Sequence, residues 1–190
     1  PGAKVDYTAY APLMRAFSER GFTCVLVKMP FNLAFFDIDA ADGARAAAPD
    51  VTRWYLGGHS LGGAMAAKYL AGHADEFVGL LLCASYATED LSADDLSILS
   101  AYGTQDGVLN RESYQNDWKN LPPSARELVI DGGNHAQFGD YGVQDGDGEA
   151  SIAPAEQIAE TADAFAQLDE HVSQQHQNGK FYPVGPVVIL

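Results

Sequence analysis

Short apolar runs at residues 22–27, 54–57, 77–84, 98–102 and 127–130 most constrain this chain, because they are Leu-rich or β-branched and lack polar alternation. A strand apolar on both sides is one covered on both faces, as in a parallel sheet between helices. Helical patterns fall between the runs, at 7–20, about 38–48, 61–72, about 111–120 and 154–172. Asp6 and Thr8 suit the N-cap of the first, and Pro154 the first turn of the last. Strand–helix–strand repetition calls for right-handed crossovers, which predicts a mostly parallel, doubly wound α/β sheet.

With 190 residues and 47% apolar content the chain has material for one good core. Residues 1–172 read as that domain. The apolar-free stretch SQQHQNGK, 173–180, reads as a linker, and 181–190 as a C-terminal segment ending in a strand. The ends are unusual. The chain opens on a turn that feeds a helix, PGAKVD, with no strand before it, and closes on PVVIL with no helix after it. Joined tail to head they spell strand, turn, helix. One expectation is therefore that 187–190 pairs in the central sheet beside 22–27 and stops close to Pro1, as in a circular permutant or a chain whose segment order departs from its gene. The other is a C-terminal edge strand and a truncated N-terminus.

Charge narrows the partners. Acidic residues outnumber Lys and Arg 26 to 11, for a net charge of −15. That excludes the basic surface a nucleic-acid binder needs and disfavours an anionic membrane face. Neutral or cationic small molecules are the expected ligands. No stretch reaches the ~20 apolar residues of a membrane span, and no basic-plus-apolar leader opens the chain. Cys24 and Cys83 sit in the apolar runs TCVLV and LLLCAS and read as buried free thiols. With no leader and no disulfide framework, the default compartment is the cytoplasm. There is no CxxC, HExxH or paired-His helix, so no metal site and no cofactor is expected. The loop 142–151, GVQDGDGEAS, carries Asp145, Asp147 and Glu149 but misses the EF-hand pattern, and reads as a solvated acidic loop.

The chemistry centres on Gly58-His59-Ser60-Leu61-Gly62, a G-x-S-x-G placed directly after one apolar run and directly before a helical one. Such a serine occupies a sharp, strained turn that lifts its hydroxyl above the sheet edge. Side chains two residues either side would collide, hence Gly58 and Gly62. The helix that follows aims its N–H groups at the site. A serine nucleophile needs a base, and the base an orienting acid, in chain order Ser, acid, His. Asp106 follows the run 98–102 and His135 follows 127–130, so both fall on the sheet edge that holds Ser60. Glu89, Asp90 and Asp131 are the rival acids. His59 is expected to pack away from Ser60, His73 to cap its helix, and His171 and His176 to be solvated. Leu61 should give one oxyanion N–H. The loop 1–4 should give the other, from Ala3 first and Lys4 second. Lys28, Met29, Pro30 and Phe31, after the run 22–27, are the candidate apolar wall of a substrate pocket. Only residues 85–97 separate two of the strands, which leaves no room for a large lid.

The segments GGHSLGG, GTQDG and GGNHAQFGDYG, with PGAKVDYTAYAPL and VKMPFNLAFF, resemble the small lid-less α/β-hydrolases of the dienelactone-hydrolase-like (carboxymethylenebutenolidase-like) group over residues 1–168. The resemblance implies a three-layer α/β-hydrolase fold, a Ser60–Asp106–His135 triad and hydrolysis of a small, accessible ester. Two departures accompany it. Dienelactone hydrolase itself carries cysteine where this chain has Ser60, and the group has a β-region before its PGAK-type loop. A thioesterase or acyltransferase on the same triad, and a non-catalytic binding protein that kept the fold, are the alternative functions. The oligomeric state is not read from the sequence.

Overall fold

The computed structural model describes residues 1–175 and 187–189. Its strands are β1 (Thr23–Val25), β2 (Trp54–His59), β3 (Gly79–Cys83), β4 (Ser97–Gly103), β5 (Arg126–Ile130) and β6 (Val187–Ile189). They form one sheet in the order β1-β6-β2-β3-β4-β5, and every pairing is parallel. The helices are α1 (Ala11–Glu19), α2 (Ala40–Ala47), α3 (Leu61–Leu70), α4 (Arg111–Asp117) and α5 (Pro154–Gln175).

Why the apolar runs lack alternation is visible in β3. Leu81 and Cys83 enter one core with Phe17, Phe138 and Phe165, while Leu80 and Leu82 enter another with Leu70, Trp54 and Leu91. All five residues of β3 are buried. The sheet is therefore apolar on both faces, with α1 and α5 against one and α2 and α3 against the other. An aromatic cluster fastens the first face: the Phe165 ring meets Tyr55 at 5.0 Å and Phe17 at 5.4 Å, both edge to face. Arg53 and the Tyr55 hydroxyl both bond to Asp169 of α5, the latter at 2.7 Å.

The element boundaries follow the tertiary ladder. The run 22–27 yields a three-residue strand, in which Thr23, Cys24 and Val25 pair with Val187, Val188 and Ile189. The segment 7–20 begins as a 3-10 turn, Tyr7–Tyr10, whose N-cap Asp6 accepts from Thr8 N at 2.9 Å, before α1 proper. The helix expected at about 111–120 is α4, capped by Asn110, followed by the 3-10 turn Trp118–Asn120. Residues 173–175, expected in a linker, continue α5; residues 176–180, with His176, lie outside the described residues. Val187–Ile189 is an interior strand that pairs with β2 as well as β1, not an edge strand. Leu190 and its approach to Pro1 lie outside the described residues.

Candidate active site

At the carboxyl end of β2 the chain turns at Ser60 with φ 52° and ψ −122°, a left-handed conformation a non-glycine residue rarely adopts. The surroundings hold it there. Ser60 N donates to Cys83 O at 2.9 Å, and Ser85 Oγ donates to Ser60 O at 2.8 Å. A β-carbon on Gly58 would strike the Gly62 backbone, and one on Gly62 would strike the carbonyl of Pro1. Both flanking glycines are thus demanded by close approach, and the loop 1–4 packs directly on the first turn of α3. The helix starts at Leu61, whose N–H donates to no acceptor among the described residues. The same holds for Ala3, whereas Lys4, at φ 63°, gives its N–H to Asn32 O at 2.8 Å. Of the two candidates for a second oxyanion donor, Ala3 is the one with its N–H free.

Asp106 follows β4 and His135 follows β5, so both stand on the edge where β2 delivers Ser60. The side chains meet: His135 Nδ1 lies 3.0 Å from Asp106 Oδ2, and both are buried. The other carboxylate oxygen accepts the N–H groups of Val108 and Leu109, each at 2.8 Å. Burial works against the Asp106 carboxylate. The hydrogen bond and charge of His135, then those two N–H groups, outweigh it and hold its pKa below the usual carboxylate value. An ionised Asp106 places the His135 proton on Nδ1 and leaves Nε2 as the acceptor. That Nε2 is buried with no hydrogen-bond partner among the described residues, so no bond to Ser60 Oγ is made in this resting geometry. Contacts of this kind tighten when substrate binds. The rival acids are elsewhere: Asp90 accepts from Ser92 N, and Asp131 from Thr104 Oγ1.

His59 is the packed neighbour expected, and more. Gly2 N donates to Tyr10 Oη at 2.7 Å, and that hydroxyl bonds His59 Nδ1 at 2.8 Å. Its ring lies 4.5 Å from that of His135. Burial, and then the nearby His135, push the His59 pKa well down, so it is neutral. His73 bonds Tyr69 O near the end of α3, as a cap would, and His171 lies on α5. Gln157 carries no mark of its role in the sequence. Fully buried on α5, it accepts from Asn134 N at 3.0 Å and donates to Asn134 O at 2.8 Å, clamping the residue before His135.

Beside the elbow is an apolar cavity of about 30 Å³, lined by Met29, Ala34, Ile38, Leu56 and Met65 among others. Lys28, Pro30 and Phe31 do not line it. A left-handed pair, Phe31 at φ 53° and Asn32 at φ 55°, throws the Phe31 ring outward to 82% exposure. Both cysteines are free thiols, Cys83 buried and Cys24 half-buried. Among the described residues no group of three His, Cys, Asp or Glu side chains is arranged to hold a metal ion, and no helix is long and apolar enough to cross a membrane.

The carboxyl edge of the parallel sheet thus carries a strained serine turn and a buried Asp–His pair. The chain belongs to the alpha/beta hydrolase family, whose model matches residues 1–159. Its fold is similar to that of a thermophilic esterase from Thermogutta terrifontis with malate bound, at a TM-score of 0.62 and 13% identity over 90% of this chain and 88% of that one. It is also similar to a predicted CIB-like hydrolase from Thermoplasma acidophilum, at a TM-score of 0.50 and 20% identity over 69% of this chain. The chain spans 60% of that protein's length. No curated protein matches it in sequence.

Proposed function

We propose that this hydrolase is a serine carboxylic-ester hydrolase of the EC 3.1.1 type. The observation that carries the reading is the buried 3.0 Å contact between His135 Nδ1 and Asp106 Oδ2, on the sheet edge that also presents the left-handed Ser60. In the proposed reaction, His135 Nε2 takes the Ser60 proton as Oγ attacks the ester carbonyl carbon. The Leu61 and Ala3 N–H groups hold the oxyanion. The tetrahedral intermediate collapses to an acyl-enzyme, and His135 passes its proton to the departing alkoxide. Water, deprotonated by the same imidazole, then releases the acid and restores Ser60.

The substrate class is a small, accessible ester. Residues 84–96 between β3 and β4 carry no helix that would serve as a lid, and the cavity beside the elbow is small and apolar. A serine in place of the cysteine of dienelactone hydrolase points to simple esters, within the dienelactone-hydrolase-like group to which the sequence motifs are similar.

A fluorophosphonate probe tests the reading. The wild-type chain is expected to take the label on Ser60 and to lose it in Ser60→Ala. A folded wild-type chain that never takes it is a binding protein that has kept the fold.

A further inference from the structure

The acidic loop after His135 does not behave as a solvated loop. Asp145 and Glu149 are exposed, but the carboxylate of Asp147, between them, accepts four backbone N–H groups. Oδ1 takes those of Gly107 at 3.1 Å, His135 at 3.2 Å and Gly148 at 2.9 Å. Oδ2 takes that of Ala136 at 2.8 Å. Gly107 is the residue after Asp106, and Ala136 the residue after His135. One side chain from a third loop therefore joins the loop carrying the acid to the loop carrying the imidazole.

The docking is close. A β-carbon on Gly148 would strike the carbonyl of Gln105, and one on Gly107 that of Gly146. A second tie runs alongside, from Asn134 Nδ2 to Gly148 O at 2.8 Å. Nothing in the elbow or in the Asp106–His135 contact accounts for this arrangement. An acidic side chain that faced solvent would need no such partners, and a carboxylate is the group that can accept several N–H bonds at once.

We propose that Asp147 is a positioning residue for the Asp106–His135 pair: by binding the backbone of both loops it fixes the separation and orientation of the two side chains. The proposal rests on the serine-hydrolase reading for its kinetic consequence, but not for its structural one. Asp147 reaches the reacting atoms only through the backbone it holds. Gln105 N still joins the two loops at their base by donating to Gly133 O at 2.8 Å, but without Asp147 the segments at Gly107 and Ala136 lose their shared acceptor; a displacement of about 1 Å at a catalytic group costs about 10²-fold in rate.

The test uses the full chain and p-nitrophenyl acetate, with proton NMR of the His135 Nδ1–H resonance as a readout independent of turnover. In Asp147→Ala, kcat is expected to fall about 10²-fold with KM within about twofold of wild type. The Nδ1–H resonance, sheltered in the wild type by its bond to Asp106, is expected to broaden through exchange with water. Asp147→Asn retains the shape and one carbonyl oxygen in place of Oδ1, and is expected to recover activity to about tenfold below wild type. Should Asp147→Ala fail to fold, the same two readouts on Asp147→Asn decide. Unchanged kcat, a fall in kcat with the resonance unmoved, or a loss expressed only in KM overturns the proposal. A wild-type chain that neither turns over nor takes a fluorophosphonate, but whose resonance still broadens in Asp147→Ala, sinks the hydrolase reading and leaves the clamp standing.

Discussion

The imidazole of His59 lies against that of His135, with ring centroids 4.5 Å apart, and only 1% of each residue is exposed. Two touching, enclosed imidazoles cannot both carry a charge at low cost. His59 is held neutral: burial, followed by the proximity of His135, keeps its pKa well below the ordinary 6.5, and its Nδ1 lies 2.8 Å from Tyr10 Oη.

Stability should therefore fall on the acid side. Below the ordinary value near 6.5 the unfolded chain protonates His59 and the native chain does not, so unfolding takes up a proton and is favoured as pH falls. The native state loses up to about 1.4 kcal/mol per pH unit through this group, and nothing above pH ~7. Denaturant unfolding of wild type and His59→Gln between pH 7.5 and 5.5 checks this. The variant, whose amide can still accept from Tyr10, should lose about 1.4 kcal/mol less than wild type across that range. Coincident slopes would mean that His59 is protonated in the native state.

Asp106→Asn should leave the fold intact and lower kcat about 10⁴-fold, the cost of presenting the imidazole in the wrong tautomer. The amide oxygen can keep the bonds from Val108 and Leu109, while its NH₂ opposes the Nδ1–H of His135. The pH dependence has a definite sign. With its pKa depressed, Asp106 contributes stability that is present above the ordinary carboxylate value of 3.8 and lost as pH falls through the lowered one. Steady-state kinetics of Asp106→Asn and circular dichroism across the acid range check the two parts.

How far the sequence revealed these features depended on whether the physics was local. The run at 77–84 announced β3 because a strand between two helical layers must be apolar at every position, as Leu80, Leu81 and Leu82 are. The elbow announced itself because Gly58 and Gly62 answer to each other four residues apart. Asp106 and His135 were legible from their place after strands. Asp147 and Gln157 were not, because their partners are backbone groups: Gly107 and Asp147 stand 40 positions apart, and no side-chain type marks a free N–H. Phe31 misled for a related reason. The left-handed turn at Phe31 and Asn32 that exposes the ring leaves no trace in composition, since neither residue is glycine.

A series of p-nitrophenyl esters reads the cavity directly. The space beside Gly57 and Gly62 is lined by Met29, Leu56 and Met65 among others, which suits a short apolar group. kcat/KM is expected to be highest for acetate to butyrate and to fall steadily beyond. A maximum at long chains would show that the acyl group lies elsewhere.

The contact between Gly62 and the loop 1–4 supplies the sharpest test of the oxyanion site. Adding a single methyl group, in Gly62→Ala, drives a β-carbon into the Pro1 carbonyl, and that obstacle is backbone, which cannot swing aside as a side chain would. The loop must retreat from α3 and take the Ala3 N–H with it, while Leu61 N, on α3 itself, stays in place. Losing one oxyanion donor costs about 10²–10³-fold in kcat. The expected result is thus a variant that retains its Asp106–His135 contact and binds ester with little change in KM, yet turns over about 10²–10³ times more slowly. If Gly62→Ala matched wild type in kcat, the second donor would have to come from a group other than Ala3.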